Sequence, residues 1–338
     1  MKLNPMIIVA VIVLPTLVAA DTPGFRPISV EAPHHGRPVA GGLWHPTEAA
    51  GHATVIAENP VFHGVEVIED APMADGPAPL VLLSHGLGGS MRSMAWLATG
   101  LAERGAIVVA VNHPNSTWGD FDMEAAVDHW TRVADLSLAL DKVLADPEFA
   151  DRIDPDRIMA AGFSFGGWTA LSMGGVTGRI EGYAAHCDVY VASASHCQGL
   201  ARGGIVQRDR AAEAWDTSYK DPRITHVAAI DPALVWGLKS TDTEALVDNV
   251  TLFGLGEGQD RLAATDFDAS GFVGLVPHAS VERLVPAGHF SMLPLCKPAG
   301  AAILEEENDD PVCTDPDGAD RAALHRSVVD RIAIDLEL

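Results

Sequence analysis

Gly162-Phe163-Ser164-Phe165-Gly166 has the form G-x-S-x-G and lies between the apolar run Ile158–Gly162 and a helical pattern that starts at Gly167. A sharp turn from a strand into a helix holds the serine backbone in a strained conformation, and the flanking glycines let strand and helix approach closely. The serine hydroxyl then projects at the carboxyl edge of the sheet, where the sites of α/β proteins form. Ser164 is therefore the predicted nucleophile, and a chance Gly- and Ser-rich turn is the alternative.

The rest of the chain alternates between short apolar runs and helical patterns. Four more apolar runs are present, at Leu80–Leu83, Ala106–Val111, Val227–Ile230 and Val250–Leu255, and Val281, Leu284 and Val285 suggest one further strand. Runs of this kind, bounded by turn residues, are typical of buried parallel strands. Val127–Val143 and Arg321–Leu336 have the spacing of helices. This alternation predicts an α/β fold with a mostly parallel sheet, and Ile28–Val30 and Gly42–His45 are predicted to be its antiparallel edge strands.

Two stretches interrupt the alternation. Arg179–Thr225 is rich in Gly, Ala and Asp and lies between two core strands, so it is interpreted as an inserted, cap-like segment. Ala299–Ala319 combines a run of acidic residues with prolines and glycines and is predicted to be a solvated loop.

The first twenty residues have the composition of a targeting segment. Lys2 precedes the apolar run Met6–Val18, and the small residues Ala19 and Ala20 lie just before Asp21. This arrangement is typical of a secretory signal peptide, and the run is shorter than a membrane span requires. An uncleaved anchor is the alternative. The mature protein is expected to be a single domain of residues 21–338 that is periplasmic or secreted.

The charge balance excludes some classes of partner. The 338 residues include 22 Lys+Arg and 46 Asp+Glu, which gives a net charge of −24. Because a protein this acidic has no means of neutralising a phosphate backbone, nucleic acid is not an expected partner. Docking on anionic lipid is disfavoured for the same reason. Hydrophobic residues make up 48% of the chain, which is enough for a sizeable core and excludes wholesale disorder.

Four cysteines follow the N-terminal segment: Cys187, Cys197, Cys296 and Cys313. An even number in an exported chain suggests disulfides, with three possible connectivities. Pairing of neighbours would close two short loops. Free or zinc-bound thiols are disfavoured because no C-x-x-C or nearby histidine pair is present.

A serine nucleophile needs a base and an acid. In this kind of fold the chain order is serine, acid, histidine, and His289 follows the last predicted strand as expected for the base. Asp231 ends the fourth strand, and Asp260 follows the fifth. Either carboxylate could orient the imidazole, with Asp260 at the commoner position.

Two backbone amides are candidates to stabilise an oxyanion. One belongs to Phe165, the residue after the nucleophile. The other is expected in the glycine-rich loop His85–Gly89, where Leu87 is the predicted donor and His85 is expected to support the turn. A phosphate-binding loop is excluded because no Gly-Lys-Ser/Thr follows. No cofactor and no metal are predicted.

Four strings carry a resemblance to a known family: Leu-Ser-His-Gly-Leu-Gly-Gly (83–89), Ala-Gly-Phe-Ser-Phe-Gly-Gly (161–167), Ile-Asp-Pro-Ala (230–233) and Ala-Gly-His-Phe (287–290). Together they resemble the α/β-hydrolase superfamily, and more closely the bacterial predicted dienelactone hydrolases and the platelet-activating-factor acetylhydrolase-like lipases. The resemblance covers roughly residues 43–313 and implies a serine esterase that uses Ser164 and His289.

The same resemblance bears on the acid. The acetylhydrolases carry it in an Ala-Leu-Asp string, which Ala229-Ile230-Asp231 matches. This favours Asp231, although Asp260 matches the position used by cutinase-like lipases. True dienelactone hydrolases use a cysteine nucleophile, and Ser164 departs from that pattern.

The expected activity is serine carboxylester hydrolysis, through an acyl-enzyme, of a small or lipid-like ester. An amidase or peptidase with the same three residues is one alternative, and a catalytically silent binding protein with a hydrolase fold is the other. The complete set of nucleophile, base and glycines argues against the silent protein.

Overall fold

The structure is a computed structural model that describes residues 22–190 and 195–338, so the predicted signal peptide lies outside the described residues. The strands are β1 (Gly24–Val30), β2 (Val39–His45), β3 (Thr54–Ile56), β4 (Val65–Glu69), β5 (Ala78–Ser84), β6 (Ile107–Val111), β7 (Ser116–Thr117), β8 (Asp120–Phe121), β9 (Ile153–Phe163), β10 (His226–Ile230), β11 (Asn249–Leu255) and β12 (Ser280–Leu284). The helices are α1 (Ala95–Ala102), α2 (Met123–Ala126), α3 (Trp130–Ala145), α4 (Pro147–Ala150), α5 (Phe165–Gly174), α6 (Ile180–Tyr190), α7 (Ser195–Arg202), α8 (Ala212–Trp215), α9 (Phe272–Leu275), α10 (Gly300–Glu307) and α11 (Arg321–Asp335).

Ten strands of the described ranges form one mixed sheet, in the order β12-β11-β10-β9-β5-β6-β2-β1-β4-β3. The six strands from β12 to β6 pair in parallel, as the sequence predicted. β1 and β2 are antiparallel to each other, and β2 is antiparallel to β6. The prediction that they form the edge is wrong, because β4 and β3 extend the sheet beyond β1. Those two short strands mix apolar with polar residues and contain no continuous apolar run.

Alternate residues of the central strands pack into two separate cores. Leu80 and Leu82 of β5 face one core, whereas Val81 and Leu83 face the other, and all four are fully buried. α3, α5 and the helices of the inserted segment cover the first face, and α1 and α11 cover the second. Strands buried on both faces need apolar side chains at every position, which explains the unbroken runs in the sequence.

The inserted segment 179–225 is largely helical where it is described. Tyr183 of α6 stacks on Trp215 of α8 with ring centroids 5.2 Å apart, and both side chains belong to the first core. The disulfide Cys187–Cys197 joins α6 to α7. The described part of the segment therefore contributes buried side chains to the first core.

The stretch predicted to be a solvated loop contains a helix, and the prediction is wrong there. Leu304 of α10 is buried while the acidic residues Glu305, Glu306 and Glu307 are exposed. The disulfide Cys296–Cys313 closes the loop that holds this helix. A single buried leucine followed by three carboxylates gives no helical periodicity in the sequence, which is why the helix was missed.

Candidate active site

Ser164 occupies the turn between β9 and α5 in a backbone conformation that residues other than glycine rarely adopt, with φ 57° and ψ −118°. Its amide donates to the carbonyl of Ile230 at 2.8 Å, and its carbonyl accepts from the amide of Trp168 at 3.1 Å. Hydrogen bonds to β10 and to α5 thus hold the strained residue in place. Its side chain is half-buried at the carboxyl end of β9.

The glycines of the motif are required by close backbone contacts. A Cβ on Gly162 would lie 2.3 Å from the carbonyl oxygen of Gly166. A Cβ on Gly166 would lie 2.1 Å from the carbonyl oxygen of Ser84, at the end of β5. Glycine is therefore required at both positions because β9, β5 and α5 approach one another closely beside Ser164.

Ser164, His289 and Asp231 form one continuous hydrogen-bonded chain. The Oγ of Ser164 lies 3.1 Å from Nε2 of His289, and Nδ1 of His289 lies 2.6 Å from Oδ2 of Asp231. The three residues follow β9, β12 and β10, whose parallel carboxyl ends meet at one edge of the sheet. When Nδ1 donates to the carboxylate, Nε2 is free to accept the serine proton.

Asp231 is fully buried and bonded through both carboxylate oxygens. Oδ2 also accepts from the hydroxyl of Thr265 at 2.7 Å, while Oδ1 accepts from the amide of Leu255 at 3.2 Å and from the guanidinium of Arg261. Burial alone would raise the pKa of this carboxyl. The hydrogen bond and charge of His289, together with Arg261, outweigh burial and lower the pKa below its ordinary value. The carboxylate is therefore ionised at neutral pH.

Asp260, the other predicted acid, lies apart from this chain. It is exposed on the turn after β11, and no hydrogen bond among the described residues joins its side chain to His289. The structure thus brings one of the two predicted carboxylates to the imidazole. Sequence reasoning missed Arg261 and Thr265, because contacts of side chains from a following loop leave no spacing pattern.

The glycine-rich loop after β5 approaches Ser164 closely. A Cβ on Gly86 would lie 3.4 Å from the Cβ of Ser164. Within the described ranges, the backbone amides of Leu87 and Phe165 donate no hydrogen bond to the protein. Two unengaged amides beside a serine hydroxyl are suited to bind a negatively charged oxygen. His85 is buried, and its Nδ1 donates to the carbonyl of Gly86 at 2.7 Å, which agrees with a supporting role.

A buried arginine that the sequence analysis did not single out supports both amide-bearing segments. Arg132 of α3 is completely buried and donates to the carbonyl of His85 and to the hydroxyl of Ser116. Its guanidinium also lies 4.9 Å from the ring centroid of Phe165. Burial lowers the pKa of Arg132 to about 9. Its position on the apolar face of a predicted amphipathic helix was a signal that could have identified it.

A second chain of buried polar groups lies behind the loop. Ser84 Oγ lies 2.9 Å from Nε2 of His113, and Nδ1 of His113 lies 2.8 Å from Oδ2 of Asp135. All three side chains are fully buried, so they have no access to a substrate. Burial lowers the pKa of His113 to about 4. This chain supports the end of β5.

Comparison with known proteins agrees with this fold. No protein-family model matches the chain. Lipase 1 of Moraxella sp. (strain TA144) is 37% identical over 81 residues, which are 24% of this chain and 23% of Lipase 1, so the match spans about a quarter of that relative. A ferulic acid esterase from Streptomyces cinnamoneus has a similar structure, with a TM-score of 0.55 and 17% identity over 94% of this chain and 88% of that chain.

A further solved structure is described as a dienelactone hydrolase from Klebsiella pneumoniae subsp. pneumoniae MGH 78578. It has a TM-score of 0.48 and 14% identity over 93% of this chain and 98% of that chain. At 17% identity, the likeness to the ferulic acid esterase shows the fold alone. The fold is that of the α/β hydrolases, with a mostly parallel sheet flanked by helices and a serine at the sharp turn after β9.

Proposed function

We propose that the protein is a serine carboxylester hydrolase that works through a covalent acyl-enzyme. The observation that carries this proposal is the hydrogen-bonded chain from Ser164 through His289 to the buried Asp231, starting at a strained turn. A serine hydroxyl in contact with an imidazole, which a carboxylate orients in turn, is the arrangement that activates a serine.

In the first half of the reaction, Ser164 attacks the ester carbonyl. Nε2 of His289 takes the hydroxyl proton and passes it to the departing alcohol, while Asp231 stabilises the imidazolium. The carbonyl oxygen becomes an oxyanion, which the amides of Leu87 and Phe165 bind. Each such donor typically contributes a factor of about 10²–10³ in rate.

In the second half, water replaces the alcohol. His289 removes a proton from the water, the hydroxide attacks the acyl carbonyl, and the same two amides stabilise the second oxyanion. Collapse breaks the bond to Ser164 Oγ, which recovers its proton from His289. The products are a carboxylic acid and the free enzyme.

We infer that this reaction takes place outside the cytoplasm. The two disulfides suggest an oxidising compartment, and the N-terminal sequence has the form of a signal peptide. In the part of the chain that the structure describes, no helix is both long and apolar enough to cross a bilayer.

Labelling with a fluorophosphonate probe, combined with a panel of chromogenic esters of increasing acyl length, tests this proposal. Wild-type protein should bind one probe per chain and hydrolyse some esters. Ser164→Ala should lose both, while the control Ser327→Ala, at an exposed position of α11, should keep both. Probe labelling or full turnover in Ser164→Ala would refute the assignment of the nucleophile. A labelled wild type that cleaves only amides would refute the ester preference.

A further inference from the structure

Two adjacent histidines point at one buried carboxylate that takes no part in the proposed reaction. His34 and His35 lie on the 3₁₀ turn between β1 and β2, and Asp135 lies on α3. Their Nε2 atoms lie 2.8 and 2.9 Å from the same oxygen, Oδ1 of Asp135. The other carboxylate oxygen accepts from His113. One fully buried carboxylate thus faces three imidazoles.

The two imidazoles face an oxygen that can only accept. Nε2 of His34 and Nε2 of His35 both lie within hydrogen-bonding distance of Oδ1 of Asp135, so each nitrogen must carry a hydrogen to bond to it. A metal cation held between the three ligand atoms satisfies the same arrangement in place of these hydrogens.

We propose that His34, His35 and Asp135 bind a divalent metal ion, and that zinc is the favoured ion. Their ligand atoms all lie within 4.8 Å of one another, so small side-chain movements bring them to the coordination distances of zinc. Two imidazole nitrogens with one carboxylate oxygen suit zinc, whereas calcium and magnesium prefer ligand sets made of oxygen.

The surroundings have the features of a built metal site. The carboxylate of Asp135 is fixed by its contact with His113, as outer-shell partners usually fix metal ligands. The side chain of Asp135 is fully buried and that of His35 is 6% exposed, while that of His34 is 27% exposed. The partly exposed ring of His34 would give an ion access to this cluster from solvent. Bound there, it would join the β1–β2 turn to α3.

Calorimetric titration of chelator-treated, tag-free protein with zinc chloride tests the proposal. We expect one zinc per chain in the wild type and a loss of affinity of about 100-fold or more in the double variant His34→Ala/His35→Ala. The matched control His52→Ala/His278→Ala removes two exposed imidazoles elsewhere and should bind like the wild type. Absence of binding in the wild type, or equal binding in both double variants, would overturn the proposal.

A second readout is independent of affinity. Cobalt(II) in the wild-type site should give the intense visible absorption of a four-coordinate ion, and His34→Ala alone should remove it. If the His34→Ala/His35→Ala double variant does not fold, this single variant, at a partly exposed position, decides the question. A six-coordinate cobalt spectrum in the wild type, identical to that of cobalt in buffer, would count against the site.

Discussion

At the scale of single residues, Asp231 must carry a buried charge and must also orient the imidazole of His289. Its carboxylate is fully buried, and a buried charge is tolerated only when it is paired and hydrogen-bonded. Arg261 and the amide of Leu255 satisfy Oδ1, which leaves Oδ2 to His289 and Thr265. The residue that orients the imidazole is therefore itself fixed from the opposite side.

We expect Asp231→Asn to lower kcat by about 10⁴, the cost of the equivalent change in a serine protease. The amide keeps the shape of the carboxylate but no longer holds His289 in the tautomer that accepts the Ser164 proton. It also removes the nearer of the two carboxylates that face Arg261, the other being Asp266. Thermal melts must therefore accompany the kinetics, so that loss of folded protein is not mistaken for loss of rate.

Asp260→Asn is the matched control, since Asp260 is exposed and follows the neighbouring strand. Its effect on the free energy of unfolding should stay within about 0.5 kcal/mol, as for most surface substitutions, with kcat near that of the wild type. Loss of activity in Asp260→Asn but not in Asp231→Asn would place the acid after β11 instead.

The sequence singled out Ser164 and His289 by motif and position, and the structure brings them within hydrogen-bonding distance; their catalytic roles stay predictions. It did not separate Asp231 from Asp260 by spacing, because both follow parallel strands that end at the same edge. Only the resemblance favoured Asp231. Arg132 was missed for a different reason: its place on the apolar face of a predicted helix was a signal, but its partners, the carbonyl of His85 and the hydroxyl of Ser116, lie on other segments and leave no local pattern.

At the scale of secondary-structure elements, the turn between β9 and α5 tolerates no side chain at Gly166. Because a Cβ there would meet backbone atoms of β5 at 2.1 Å, we expect Gly166→Ala to destabilise the protein by about 3 kcal/mol or more, beyond ordinary overpacking. Gly274→Ala is the control, because a Cβ at Gly274 in α9 meets nothing within 4 Å. Denaturant unfolding measures both, and equal stability of the two variants would contradict the close contact.

The small hairpin of β7 and β8 is attached to the glycine-rich loop and exposes two aromatic rings. Gly88 donates to the carbonyl of Ser116 at 3.0 Å, and Trp118 donates to the carbonyl of Gly89 at 2.8 Å. Trp118 is 80% exposed and Phe121 is 47% exposed. Large exposed aromatic side chains next to the loop that holds the proposed oxyanion donor are suited to contact an apolar part of a substrate.

Trp118→Ala should therefore raise KM for long-chain or aromatic esters several-fold, while kcat for the shortest acetate ester changes little. The physical reason is the loss of apolar surface that the substrate covers, at about 25 cal/mol per Å². Ile334→Ala removes another exposed apolar side chain, from α11, and serves as the control. Equal effects of Trp118→Ala on all chain lengths would argue against a substrate contact.

The elements that sequence patterns identified are mostly those with many buried apolar residues. Five of the six parallel strands have apolar runs and are largely buried, α3 and α11 have apolar residues at helical spacing, and the structure confirms all of them. The sixth strand, β12, lies at the edge of the sheet and is only partly buried. β3, β4 and α10 lie at the periphery, where few positions are buried. Their existence depends on tertiary contacts, such as the pairing of β4 with β1, that no local pattern encodes.

At the scale of the whole molecule, burial keeps several histidines neutral. Desolvation lowers the pKa of His129 to about 4, although a bond to the carbonyl of Trp215 partly opposes it. His325, stacked on Trp96, is lowered to about 4 for the same main reason. Between pH 6.5, the ordinary value, and pH 4, the unfolded chain binds protons at these positions and the folded chain does not. The free energy of unfolding therefore falls as the pH falls across this window.

The variant His129→Gln tests this contribution. Glutamine does not titrate and keeps an N–H for the carbonyl of Trp215, so the loss of stability between pH 6.5 and 4 should shrink by roughly 3 kcal/mol at most. Urea unfolding at each pH measures the effect. The exposed His278→Gln is the control and should follow the wild-type curve in parallel. If the free energy of unfolding of His129→Gln fell with pH in parallel with the wild type, His129 would take up its proton in the folded protein over the same pH range as in the unfolded chain.

Each disulfide joins cysteines that are neighbours along the chain, 10 and 17 residues apart. A chain threaded across a membrane with its N-terminus leading, as the proposed export implies, presents Cys187 and Cys197 together before Cys296 or Cys313 arrives. The thiols of Cys187 and Cys197 can then react with each other before the cysteines of the other pair are present. Oxidation in the order of emergence gives the correct connectivity directly, so maturation needs an electron acceptor but no later reshuffling of bonds.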